Sequence, residues 1–134
     1  MVDSQPPPRP GVAVVASWAR LATRAARALE TLGVPVVTRS EGPAAALASH
    51  TDAAARRRDV AALLLVADTV DGHAQLAEVL GAVVRHVPVV AHVPAGCGDP
   101  WISPWLARLG CVVCADLTES AAALHVVRSA DPVG

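Results

Sequence analysis

At 134 residues the chain has the length of one domain, since single cores run to about 100–200 residues. Alanine (28) and valine (22) dominate, 53% of residues are apolar and the formal net charge is −1, which is a globular rather than a disordered composition. All 11 basic residues are arginine and lysine is absent, as are tyrosine and phenylalanine; Schiff-base chemistry, the P-loop and a basic, ring-lined nucleic-acid surface are excluded together.

Residues 1–10 end in Pro6-Pro7-Pro8-Arg9-Pro10 and read as a disordered, extended tail. The basic and apolar regions of a secretory signal are missing from it, so a cytoplasmic location is expected. Gly11-Val12-Ala13-Val14-Val15-Ala16 reads as a buried strand. A helix follows over Ser17 to Leu32, with Trp18, Leu21, Ala25, Leu29 and Leu32 on its apolar face, Arg20, Arg24 and Arg27 opposite, and Gly33 as the stop. Val34 to Thr38 is a second strand, with Pro35 near its start. Ala44 to Arg58 reads as a helix anchored by Leu47 behind Pro43.

Val60 to Ala67 is apolar throughout, as a central parallel strand covered on both faces should be, and at eight residues it is far too short to cross a membrane. Gly72 to His86 is a helix carrying Leu76, Val79, Leu80 and Val83; Pro88 to Val93 is the fourth strand. After the loop Pro94 to Pro100 come a short helix, Trp101 to Leu109, and a fifth strand, Cys111 to Ala115. Asp116 and Glu119 form a variant capping box for a last helix whose stripe is Leu117, Ala121, Leu124 and Val127. The reading is an α/β domain over 11–130 with a C-terminal tail at 131–134: a (βα)5 doubly wound, flavodoxin-like parallel sheet in the order 2-1-3-4-5. Its functional crevice is expected beyond the carboxyl ends of strands 1, 3 and 4.

Five segments of this pattern also carry a family likeness: Val12 to Gly33, Glu41-Gly42-Pro43-Ala44-Ala45-Ala46-Leu47, Asp71-Gly72, Pro88-Val89-Val90-Ala91 and Gly110 to Asp116. In order and spacing they resemble the receiver domains of bacterial response regulators, of the type that precedes LuxR-type helix-turn-helix domains. The resemblance implies a Mg²⁺ site built from two adjacent acids and a phospho-acceptor aspartate, with a lysine on the phosphoryl group. Here the acid pair matches Ala16 and Ser17, the lysine matches Ala115 and the switch hydroxyl matches Val93. The acceptor matches either Leu64 or Asp68. The resemblance therefore implies a degenerate receiver with a broken metal site, lacking the DNA-binding domain that usually follows, either as a fragment of a regulator or as a module acting alone.

Among the polar residues, Asp68 and Asp71 could serve a cation, but helix capping accounts for Asp71. Cys111-x-x-Cys114 lies in a strand, where the odd offset sends the thiols to opposite faces and favours core cysteines over a redox or zinc pair. His92 with Cys97 lacks two further ligands, and His50, His73, His86 and His125 are scattered singly. Gly96-Cys97-Gly98 is a loop and not a dinucleotide fingerprint. The arginine stripe and Arg56-Arg57-Arg58 suit acidic contacts or plain solvation. Trp101 and Trp105, four apart, suit an interface or the core.

The expected function is that of a non-catalytic pseudo-receiver, not an enzyme, with no cofactor or metal, no nucleic-acid binding and no membrane association. It would act on a protein partner or as a homodimer through Trp101 and Trp105. The alternative is a sensor of a small organic ligand in the former phosphorylation crevice, lined by Ala16, Ser17, Trp18, Asp68, His92 and Val93.

Overall fold

Seven apolar residues in a row can be buried only if both sides of the strand are covered, and this decides the architecture. A computed structural model describes residues 11–16, 19–42, 46–66, 73–94 and 100–129. Its elements are β1 (Gly11–Ala16), α1 (Ala19–Thr31), β2 (Val36–Glu41), α2 (Leu47–Ala55), β3 (Val60–Val66), α3 (His73–Val83), β4 (Val89–His92), α4 (Ile102–Arg108), β5 (Val112–Cys114) and α5 (Leu117–Ser129). The strands form one parallel sheet in the order β2-β1-β3-β4-β5, which is the expected flavodoxin-like topology. The all-apolar β3 is its middle strand.

Alternate residues of each inner strand serve two separate cores. Ala13, Val15, Leu63, Leu65, Val89 and Ala91 face α2, α3 and α4, where Leu47, Leu76, Leu80, Ile102 and Leu106 are buried. Val12, Val14, Ala16, Leu64, Val66 and Val90 face α1 and α5, where the buried contacts are mostly small: Ala22, Ala25, Ala26, Leu29, Ala121 and Leu124. The strand pairings set Ala16, Val66, His92 and Cys114 level with one another, in a row across the carboxyl end of the sheet.

Local signals end the helices where glycine allows a left-handed residue. Gly33 (φ 86°) donates to the Glu30 carbonyl and Val34 to the Leu29 carbonyl, a Schellman motif closing α1. Gly110 (φ 102°) and Cys111 close α4 in the same way, onto Ala107 and Leu106. At the start of α5 the Asp116 carboxylate accepts the Glu119 N–H at 2.7 Å, as the capping pattern requires.

Several boundaries differ from the sequence reading; α3, for one, ends at Val83, short of His86. β2 begins two residues later than Val34 and runs on through Arg39, Ser40 and Glu41, because an edge strand with alternating exposure needs only its backbone to pair with β1. α2 stops at Ala55, short of Arg58: Arg57 folds over to Asp59 at 2.8 Å and 2.9 Å, turning the chain into β3. α1 ends at Thr31, leaving Leu32 41% exposed instead of completing the apolar face. The proline-rich tail, Pro43 to Ala45, the Asp71-Gly72 pair and residues 131–134 lie outside the described residues. No helix among the described residues is long and apolar enough to cross a membrane.

Gly11 is fixed by close approach: a Cβ there would lie 2.7 Å from Val37 Cγ1 and 2.8 Å from the Pro35 carbonyl oxygen. That carbonyl also accepts the Val12 N–H at 2.9 Å, so it cannot move without loosening β1 from β2. Gly11→Ala is therefore expected to destabilise the fold by about 1–3 kcal/mol, the usual cost of overpacking. Urea unfolding measures it, and an unchanged midpoint would show that the β1–β2 contact is softer than its geometry.

Candidate functional site

In a doubly wound sheet, ligands bind beyond the carboxyl ends of the strands. Here that end carries the level row Ala16, Val66, His92 and Cys114, whose side chains share the α1/α5 face. A cavity of about 290 Å³ opens beside it. Val66, His92 and Pro94 form its floor at the strand ends; α1 supplies Leu21, Arg24 and Ala25; Ala115, Asp116 and Leu117 close it where β5 turns into α5.

His92 is the polar residue of the floor. It is 8% exposed, and its Nδ1 has no hydrogen-bond partner. Burial holds its pKa below 6.5, opposed by the Cys114 backbone and the nearby charge of Asp116, so the ring is neutral at pH 7. The Asp116 carboxylate at the rim is committed to capping α5, and its carbonyl accepts the Ser120 hydroxyl at 2.9 Å. Arg24 supplies the positive charge. With Arg20, Thr23 and Arg27 it also edges a shallower groove of about 520 Å³ along the outer face of α1. Ion pairs among the described residues are Arg56–Asp52 and Arg57–Asp59; Arg20, Arg24 and Arg27 have no acidic partner there.

The residues expected to line one crevice are not all brought together. Ala16 and His92 share a row and a face, with Ala16 completely buried. Val93, one residue on, falls on the opposite face with the α2, α3 and α4 core, as strand alternation dictates. Ser17, Trp18 and Asp68 lie outside the described residues, as does Cys97. Leu64 is completely buried two residues before the end of β3, away from the crevice mouth. Sequence reasoning missed Arg24 and the β5–α5 turn as lining. The available signal was that Leu21 and Ala25, which flank Arg24 on α1, belong to its apolar face.

Cys111 and Cys114 sit in opposite cores, as their offset requires. Burial pushes the Cys111 thiol up to about 11 and raises that of Cys114, leaving both protonated and unreactive at neutral pH. Among the described residues no three His, Cys, Asp or Glu side chains gather where they could hold a metal ion. His125, exposed on α5, reaches the Leu32 carbonyl at the end of α1 at 3.2 Å. Trp101 is 41% exposed just before α4, and its ring meets that of Trp105 edge-on, with centroids 5.4 Å apart at 68°. Trp105 is half-buried and packs on the α2/α3/α4 core.

No family model matches the chain, and no curated protein matches it significantly. Solved structures do share its fold. The Pyrococcus horikoshii protein PH0766 superposes with a TM-score of 0.75 at 16% identity over 89% of this chain. The chain spans only 28% of that protein's length. A Burkholderia pseudomallei protein known as a "Putative pilus assembly-related protein" superposes with a TM-score of 0.65 at 17% identity, covering 95% of this chain and 96% of its own. At these identities the likeness establishes the flavodoxin-like α/β fold.

The depressed pKa of His92 has a consequence for stability. Between the folded-state pKa and 6.5 the unfolded chain binds the proton and the folded chain does not. The contribution is thus complete above about pH 6.5 and is lost as the pH falls through the folded value. Lowering the pH from neutrality to 5 should reduce the urea midpoint more in the wild type than in His92→Gln. Parallel pH profiles for the two proteins would refute the buried-imidazole assignment.

Proposed function

We propose that this chain is a non-catalytic, receiver-like regulatory module that works through protein contacts, without Mg²⁺-dependent aspartyl phosphorylation. The observation that carries the reading is the replacement of charge by methyl groups where a receiver does its chemistry. Ala16, at the position of the acid pair, is completely buried at the end of β1, and Ala115, at the position of the lysine, lines the cavity beside His92. A phosphoryl group brings negative charge that a metal held by carboxylates and a lysine must balance. Those balancing groups are absent from the matched positions, so an acceptor carboxylate at Asp68 would lack the means to react. Incubation with acetyl phosphate and Mg²⁺ is expected to leave the intact mass unchanged; a stable phosphoryl adduct on Asp68 would overturn the reading.

Self-association through the α4 side is the proposed mode of contact. Trp101 exposes a large indole, and the edge strand β5 beside α4 leaves Val112 46% exposed. Indole is among the side chains most often found to carry binding energy. Because Trp105 supports the core, the informative change is Trp101→Ser alone. At about 2 kcal/mol, or roughly 30-fold, for each hot-spot truncation, and with one Trp101 from each subunit, it should weaken a twofold dimer by at least that factor while leaving the thermal midpoint of the monomer nearly unchanged. Light scattering reads the outcome, and a wild-type monomer at high micromolar concentration would remove the dimer from the proposal.

A second reading is favoured by the cavity at the strand ends, which has nearly the volume of a small-molecule site. In it the module senses an organic ligand held between α1 and the β5–α5 turn.

A further inference from the structure

We infer that the cavity between α1 and the β5–α5 turn takes a small organic acid, its carboxylate paired with Arg24 and its apolar body laid over the strand ends. The inference rests on the second reading above and names the class of ligand. Three observations support it.

Arg24 is the cation of the lining, and no acid among the described residues neutralises it. Arg20 and Arg27 flank it on the same helix face, adding positive potential at the mouth without reaching the cavity. A guanidinium presents paired N–H donors that match a carboxylate, so the group is equipped for an anion.

The one carboxylate in the lining is already engaged. Asp116 accepts the Glu119 N–H at 2.7 Å at the start of α5, where the helix dipole also favours its charge. It therefore opposes an incoming anion less than a free carboxylate would, and it lies on the α5 side of the cavity, across from α1.

The remaining walls define the body of the ligand. Leu21, Ala25, Val66 and Leu117 are apolar, and inorganic phosphate would leave them uncovered. His92, nine-tenths buried with Nδ1 unpartnered, adds a neutral ring that can exchange a hydrogen bond with a ligand without introducing charge. At about 290 Å³ the space accommodates a body of about phenyl size.

The test uses the full chain, with benzoate and its uncharged isostere benzamide as probes, followed by calorimetry and by amide shifts of the ¹⁵N-labelled protein. Benzoate should bind, with shifts centred on Arg24 and Ala115 to Leu117, and benzamide at least about tenfold more weakly. Arg24→Gln, an exposed position whose fold is checked by circular dichroism, should weaken benzoate by about tenfold, whereas Arg27→Gln should change it by less than about twofold. Equal affinity for the two probes would overturn the organic-acid assignment while leaving a neutral ligand site in place. Equal losses from Arg24→Gln and Arg27→Gln would overturn it in favour of the diffuse field of the helix. Failure of both probes to bind at millimolar concentration would overturn the assignment together with the sensing reading, without touching the proposal of a protein-contact module.

Discussion

Two-sided burial of β3 is the constraint on which the rest of the structure hangs. Leu63 and Leu65 on one face and Leu64 and Val66 on the other are all sealed from water, each contributing on the order of 1.5–3 kcal/mol. Such a strand must sit in mid-sheet with helices above and below, and right-handed crossovers then leave few routes for the chain. Register follows from the same requirement, since a slip of one residue would exchange the two cores. The level row Ala16, Val66, His92 and Cys114 is thus set by packing, and the chemistry of the crevice inherits its geometry from the core.

The two layers solve the packing differently. On the α2/α3/α4 face leucines from three helices meet the sheet, and the half-buried Trp105 helps fill a margin in a chain with no phenylalanine or tyrosine. On the α1/α5 face the helices present mainly alanine, so their backbones can approach the strands closely. Close approach is what gives Arg24 its part in the site. It neighbours the buried Ala25 on a helix lying near the strand ends, so an exposed arginine stands at the lip of a cavity.

What could be read in the sequence was whatever a local rule decides. The apolar run of β3, the glycine stops at Gly33 and Gly110, the Asp116 cap and the opposed faces of Cys111 and Cys114 depend on neighbours within a few residues. The extent of β2 is hidden because Arg39, Ser40 and Glu41 carry no strand signature; their pairing is supplied by β1. The helix α2 reads too long because the apolar pattern does not show that Arg57 turns onto Asp59, two residues away, instead of extending the helix. At the site, His92 and Ala16 were legible as strand ends. Grouping Val93 with His92 ignored strand alternation, and Arg24 was hidden by its place among three arginines on the polar face of α1. Which of those three reaches the strand ends depends on how the helix is rotated on the sheet.

The crevice that emerges has a neutral floor and a charged rim. Burial keeps the His92 imidazole deprotonated and the Cys114 thiol protonated, and Ala16 and Val66 have nothing to ionise. Arg24 stands on one side of the rim and Asp116 on the other, the latter held by the α5 cap. The buried floor keeps water from one side of the cavity, so a group entering it feels the rim charges more strongly than it would in open water. Holding a divalent cation takes carboxylates in the floor, and the described floor of Val66, His92 and Pro94 presents none. Charge is thus confined to the rim and apolar surface to the floor, a division set by which residues the sheet buries.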